Sequence, residues 1–181
     1  MTRRELLKSL GYAGFMLMGC SLSYAHLLSS DGIREGARKL NLYSLNTGES
    51  IRTVYWMDGV YIEGALREIN HLLRDHRSGE VTSMDLKLLD LLYLITRLSE
   101  KERIVVISGY RSPGTNAYLH KKKRGVARES YHTLGKAVDI RIEGMSLQAL
   151  RELALNLRAG GVGYYPKSGF VHLDTGAFRH W

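Results

Sequence analysis

The segment Ala137–Ile142, "AVDIRI", constrains this chain most. Val138, Ile140 and Ile142 alternate with Ala137, Asp139 and Arg141, and successive side chains of a strand point to opposite faces. The isoleucine face belongs in a core, so Asp139 stands on the reverse side. "FVHLD", residues 170–174, obeys the same arithmetic: Val171 and Leu173 face the core, while Phe170, His172 and Asp174 share the other side. If the two strands are neighbours, Asp139 and His172 meet on one surface. His132, in the turn before the first strand, can then close the set.

The remaining pattern surrounds this pair with further strands and helices. Leu40–Gly59 holds two runs of alternating or β-branched residues around Asn46-Thr47-Gly48, a hairpin signal. From Tyr61 the period changes, and Ile62, Leu66, Ile69, Leu72 and Leu73 predict an amphipathic helix ending near Ser78-Gly79. Ser83 and Asp85 open another, with Leu86, Leu89, Leu92 and Ile95 on one face. Ile104–Ile107 reads as a short buried strand running into a Gly/Pro loop, followed by a basic helix over residues 117–126. A helix begins at Ser146, and two short strands flank Pro166–Gly169. Strands and helices do not alternate strictly, so the expected class is α+β: a small, mainly antiparallel sheet with helices packed against it. The 181 residues suffice for one domain with a real core. The expected division is 1–25 as an export signal, 26–40 as a lead-in and 41–181 as the single domain.

Thr2–Lys8, "TRRELLK", is a charged start to a weakly apolar run that is too short and too rich in Gly and Ser to span a membrane. It ends in the small-residue pattern Ser23-Tyr24-Ala25. The pair Arg3-Arg4 resembles a twin-arginine export signal, which places the mature protein in the periplasm or cell envelope. Cys20 is the single cysteine and excludes a disulfide within a monomer. "LMGC" looks like a lipid-attachment box, but Met18 fits it poorly and a second cleavage site follows at Ala25, which favours a discarded signal over an anchor. The net charge of +8 suits an anionic partner such as nucleic acid, anionic lipid or bacterial wall. No stacking aromatics interleave the run "HKKKR", residues 120–124, which argues against nucleic acid. That run reads as a solvated helix face able to grip an anionic wall polymer. His71 and His76 have no matching partners in the sequence.

Two imidazoles and one carboxylate suit Zn²⁺, and three protein ligands leave a fourth position for water, the open arrangement of hydrolytic sites. The same residues also suit a hydrogen-bonded His132–Asp139 pair, with His172 satisfied inside its strand. Spacing alone does not separate the two readings.

"SYHTLGKAVD", residues 130–139, resembles the Ser-x-His-x-x-Gly-x-Ala-x-Asp signature of the LAS metallopeptidases, the peptidase M15 group. "SGYRS" (108–112) and "FVHLDTG" (170–176) occur in that group's order. The closing "RAGGVGYYPKSGFVHLDTGAFRHW" is similar to the YcbK/MepK-type murein endopeptidases, a resemblance running from about Leu42 to Trp181. It implies the LAS fold, like that of Hedgehog and the D-Ala-D-Ala peptidases, and one Zn²⁺ per chain held by His132, Asp139 and His172. It also implies that Arg111 contacts the substrate or the oxyanion, a role suited to a permanent cation with a planar donor fork. Members of this group often carry an acid or a histidine two or three positions before the last ligand. Here those positions are Gly169 and Phe170, and neither transfers a proton. Asp174 is then either a base or a partner that orients His172. His180 is a second candidate if the closing segment folds back over the cleft.

The implied function is an exported zinc peptidase hydrolysing cross-links between peptidoglycan stem peptides, among them the diaminopimelate–diaminopimelate link. A monomer without a transmembrane span in its mature form is expected. Two alternatives stand beside it: a carboxypeptidase trimming D-alanine from stem peptides, and a zinc-containing wall-binding module that turns nothing over.

Overall fold

The computed structural model describes residues 36–122 and 127–181. The expected export signal, Cys20, most of the lead-in, and Lys123 and Arg124 of the basic run lie outside the described residues. The strands are β1 (Ala37–Ser44), β2 (Ser50–Met57), β3 (Val60–Tyr61), β4 (Arg103–Ser108), β5 (Ala137–Ile142), β6 (Gly161–Tyr165), β7 (Phe170–Asp174) and β8 (Arg179–His180). The helices are α1 (Glu63–Leu72) and α2 (Leu86–Ser99) between β3 and β4, α3 (Pro113–Lys122) between β4 and β5, and α4 (Leu147–Leu157) between β5 and β6. One sheet holds all eight strands in the order β3-β2-β1-β4-β5-β7-β6-β8. Its pairs are antiparallel except β1–β4 and β6–β8. The fold is therefore α+β on a mainly antiparallel sheet, with more strands than the sequence pattern resolves.

One face of the sheet carries the core. Ile69 and Leu72 of α1, Leu89, Leu92 and Ile95 of α2, and Leu150, Ala154 and Leu157 of α4 bury against Val138, Ile140, Ile142, Val171 and Leu173. Alternation in β5 and β7 thus does what their sequences demand, and the reverse face is left for Asp139 and His172. Two caps predicted from sequence close their helices: Asp85 accepts from the Lys87 amide (3.0 Å) and Ser146 from the Ala149 amide (3.1 Å).

Three boundaries differ from the sequence pattern. β1 begins at Ala37, inside the stretch read as lead-in, because Arg38 finds a buried partner. Its guanidinium meets Asp90 at 2.8 Å and lies over the Trp56 ring at 4.1 Å. Asp90 also accepts the Tyr55 and Tyr61 hydroxyls, both at 2.8 Å, so α2 crosses the core buried along Leu88–Ile95 rather than on a single face. α3 starts at Pro113, earlier than expected. Ser112 accepts from the Thr115 amide (3.2 Å) and proline takes the first helical position, where no amide hydrogen is needed. α1 stops at Leu72, and the chain after it supplies Asp75 to the site.

Candidate metal centre

β5 and β7 pair with Asp139 directly opposite His172. Their adjacency meets the condition that the sequence left open. His132 comes from a 3₁₀ turn, Tyr131–Leu134, that ends in a left-handed residue, Gly135, and enters β5. The three side chains are 4 %, 9 % and 12 % exposed for His132, Asp139 and His172. Asp139 Oδ1 lies 2.8 Å from His172 Nδ1 and 3.3 Å from His132 Nε2. The two imidazole nitrogens are 3.2 Å apart.

The outer nitrogens decide which atoms face inward. His132 Nδ1 lies 2.7 Å from the Gly109 carbonyl, which can only accept, so this nitrogen carries the hydrogen and Nε2 is bare. His172 Nε2 lies 3.1 Å from Asp174 Oδ2, so it donates there and Nδ1 is bare. Two bare nitrogens and a carboxylate oxygen therefore converge with no hydrogen among them. Such a set is mutually repulsive until a cation enters, and its N₂O composition suits a divalent metal whose imidazole ligands are held from behind. The residues fit the group that the sequence implies.

The local field agrees. Burial by itself raises the Asp139 carboxyl, but His132 and His172 outweigh it and hold the group well below the usual carboxylate range. At His172 burial disfavours the charged ring, yet the Asp139 and Asp174 carboxylates on its two sides prevail and raise its proton affinity. Both shifts describe a pocket that attracts positive charge.

Arg111 stands beside this set. Its Nη2 is 3.9 Å from Asp139 Oδ2, and its side chain is 13 % exposed. The chain reaches it through a register shift between Val106 and Ser108 at the end of β4, a device that re-aims a strand next to a site. The Arg111 amide donates to the His132 carbonyl (3.2 Å), and its Nη1 donates to Asn116 Oδ1 (3.2 Å). Asn116 in turn donates to the carbonyls of Ala127 and Arg128, at 3.2 and 2.9 Å. Asp75 accepts from the amides of Ser112 and Arg77, both at 2.9 Å. Sequence reasoning passed over Asn116 and Asp75, since each sits in a stretch that reads as loop or solvated helix.

Asp75 gives a stability test. Burial raises its carboxyl, but bonds from Thr115, Arg77 and Ser112 outweigh this and keep it well below its ordinary range. A folded value below the unfolded one of about 3.9 contributes stability above that pH and loses it as pH falls through the folded value. Asp75→Ala is expected to cost about 1–3 kcal/mol near neutrality by urea denaturation, because it strands buried donors. The gap to the unaltered protein should narrow once the pH falls below about 4. A gap that stayed constant with pH would show that the charge is irrelevant.

The structure separates the remaining candidates. Asp174 is fully buried, on the far nitrogen of His172 from Asp139. It also accepts from the amides of Gly161 (3.2 Å) and Gly176 (2.8 Å) and from Arg179. Of its two possible roles this geometry supplies the orienting one, since every contact holds it behind the ring. The closing segment does fold back, but Arg179 and Trp181 take the face toward the triad. His180 alternates to the other side, is exposed, and meets the Phe178 ring at 6.4 Å. It is not brought to His132, Asp139 and His172. Phe170, one position of the missing acid or histidine, stacks on Tyr165 at 4.7 Å.

A family model described as peptidoglycan L,D-endopeptidase MepK, within peptidase M15, matches residues 33–181. The chain belongs to this family. The peptidoglycan L,D-endopeptidase MepK of Escherichia coli (strain K12) is 48 % identical over 145 residues, covering 80 % of this chain and 80 % of that protein. The probable peptidoglycan L,D-endopeptidase MepK of Haemophilus influenzae is 42 % identical over 146 residues, covering 80 % of this chain and 78 % of its own length. No solved structure gives a significant match. The MepK-family region contains every element of the site, from Asp75 to Trp181. No helix among the described residues is long and apolar enough to cross a membrane.

Proposed function

We propose that this chain is a zinc endopeptidase of peptidoglycan, exported to the periplasm, that hydrolyses an L,D peptide bond in cross-links between stem peptides. One observation carries the reading: three bare acceptor atoms converge beside a half-sheltered guanidinium in a chain of the MepK family. The L,D bond follows the relatives' names, and a link between two diaminopimelate residues is one such bond. A carboxypeptidase acting on a D-Ala-D-Ala end would instead cut a D,D bond.

His132 Nε2, Asp139 Oδ1 and His172 Nδ1 would hold one Zn²⁺. When bound, the ion supplies a Lewis acid and a water acidified toward neutrality. The Gly109 carbonyl and Asp174 fix both rings so that their lone pairs stay inward during turnover. Arg111, held by Asn116, is placed to donate to the scissile carbonyl oxygen as it gains negative charge, where a fixed cation is worth most. His120, Lys121 and Lys122 at the end of α3 give the basic surface that an anionic wall polymer would meet.

Export rests on the twin-arginine-like Arg3-Arg4 and on the wall location of the substrate. Cleavage after Ala25 is the preferred processing, with lipid attachment at Cys20 the second possibility. A monomer is the expected state.

The test is a chromatographic digest of purified cross-linked muropeptides, with and without added Zn²⁺, beside His132→Ala. Loss of dimers only with the intact triad and metal is the expected result, with mass analysis locating an L,D bond. Release of D-alanine from monomers would replace this reading with the carboxypeptidase. Intact substrate despite stoichiometric bound zinc would replace it with the wall-binding module.

A further inference from the structure

β6 has glycine at 161 and 163, on the sheet face opposite Val162 and the core, and Gly163 pairs with His172. A Cβ at Gly161 would run into the Asp174 carboxylate and lie 2.8 Å from Arg179 Nη1. A Cβ at Gly163 would lie 2.8 Å from the Trp181 ring. Two missing side chains thus form a slot along β6, and Arg179 and Trp181 fill it. Arg179 arrives on β8, which pairs in parallel with β6, Gly161 opposite Arg179, and Trp181 follows directly after that strand. The Tyr164 amide donates to the Trp181 carbonyl (2.9 Å), and the Trp181 amide donates to the Val162 carbonyl (3.2 Å).

Both side chains bear on His172, Arg179 through Asp174 and Trp181 directly. Arg179 grips Asp174 with both arms, Nη2 to Oδ2 at 2.6 Å and Nη1 to Oδ1 at 3.1 Å. Oδ2 is also the atom that takes the His172 Nε2 hydrogen. The guanidinium is itself flanked by the Tyr131 and Trp181 rings, at 5.1 and 5.2 Å. Trp181 sets its ring 5.4 Å from the His172 ring, and its Nε1 hydrogen goes to the Tyr165 hydroxyl at 2.7 Å, which fixes the indole. His172 is therefore held at its outer nitrogen through a bidentate ion pair whose carboxylate is buried, and along its flank by an anchored aromatic ring.

We propose that Arg179 and Trp181 are positioning residues of the metal centre, Arg179 by setting the carboxylate that orients His172 and Trp181 by pinning the imidazole from the side. This rests on the metal reading of the triad. A ring that is already aimed loses less freedom when it captures a cation, and loosening such an outer support costs about 10–100-fold in metal affinity. Arg179 on β8 and Trp181 just after it are separated by one residue, so both fall on the triad side. A lysine in place of Arg179 keeps a charge but cannot grip both carboxylate oxygens in the same plane.

The experiment measures Zn²⁺ affinity by competition with a chromophoric chelator for the unaltered protein, Arg179→Met, Arg179→Lys, Trp181→Ala and Trp181→Phe. Visible spectra of the Co²⁺-loaded forms and thermal midpoints of the metal-free forms accompany it. Arg179→Met and Trp181→Ala are expected to bind Zn²⁺ about 10–100-fold more weakly, with shifted Co²⁺ bands. Trp181→Phe, which keeps a ring but loses the bond to Tyr165, and Arg179→Lys should both fall between. Residues that merely stabilise the fold would lower the thermal midpoint while leaving affinity and spectrum unchanged, and that result overturns the proposal. If Arg179→Met does not fold, Arg179→Lys and Trp181→Ala decide by the same criterion. Absence of stoichiometric zinc from the unaltered protein would overturn the triad as a metal site and the proposal with it. Failure to cleave peptidoglycan would leave these binding results standing, so the two readings fail separately.

Discussion

Asp139→Asn is expected to remove tightly bound metal and to reduce cross-link hydrolysis to background. The substitution is nearly isosteric, so the site keeps its shape and loses one charge. Asp139 Oδ1 is the atom common to both short contacts of the triad, at 2.8 and 3.3 Å from the two histidines. Its carboxylate also brings negative charge into a pocket otherwise lined by two imidazoles and a cation, Arg111. An amide oxygen is a weaker partner for a divalent ion, and the amide nitrogen would place hydrogens where a lone pair is needed. Without the ion, nothing in the pocket would acidify the attacking water or polarise the carbonyl, which removes most of the driving force for attack. Metal analysis after dialysis and the muropeptide digest check this together, with circular dichroism of the metal-free protein as the control for folding. A variant that kept one zinc per chain and most of its activity would remove Asp139 from the ligand set.

Arg111→Ala is expected to lower kcat by about 10²–10³ while changing KM and zinc content little, the signature of a donor used mainly as charge develops on the carbonyl oxygen. Arg111→Lys should recover only a small part of this, because the guanidinium is held by Asn116 at one nitrogen and presents another, a geometry that a single ammonium does not reproduce. Burial lowers the proton affinity of Arg111, and the Asp139 and Asp75 carboxylates oppose that effect. Steady-state kinetics on a defined cross-linked dimer separates the outcomes. A rise in KM with unchanged kcat would mean that Arg111 holds a ground-state group of the substrate and not the oxyanion.

The candidate site was legible in the sequence where a residue's task is local. Val138, Ile140 and Ile142 declare a core face by themselves, so the opposite placement of Asp139 needs only the two-residue period of a strand. Ser130 before the 3₁₀ turn and Gly135 after it are likewise local chemistry. Asp75, Asn116, Arg179 and Trp181 were not legible as site residues. Asp75 lies 37 positions from the Ser112 amide it accepts. Arg179 acts through Asp174, and Trp181 acts through a slot made by two glycines on another strand. Nothing in the residues adjacent to any of them signals a partner. Arg38 shows the same limit in the fold: a charged residue in a polar stretch reads as a tether until its partner Asp90 is known.

The sequence by itself determined which residue types converge, because periodicity and local turn chemistry aim each side chain relative to its own strand or turn. The α+β class, the core faces and the side of the sheet on which Asp139 and His172 stand follow from that, while their reading as metal ligands comes from the family resemblance. Only the tertiary structure decided that β5 and β7 are neighbours in the register that sets Asp139 opposite His172, and that β8 returns along β6 to brace the site. Those pairings join segments far apart in the chain, and their free energy comes from burying shared surface and satisfying buried polar groups. Such terms exist only once the whole sheet has assembled.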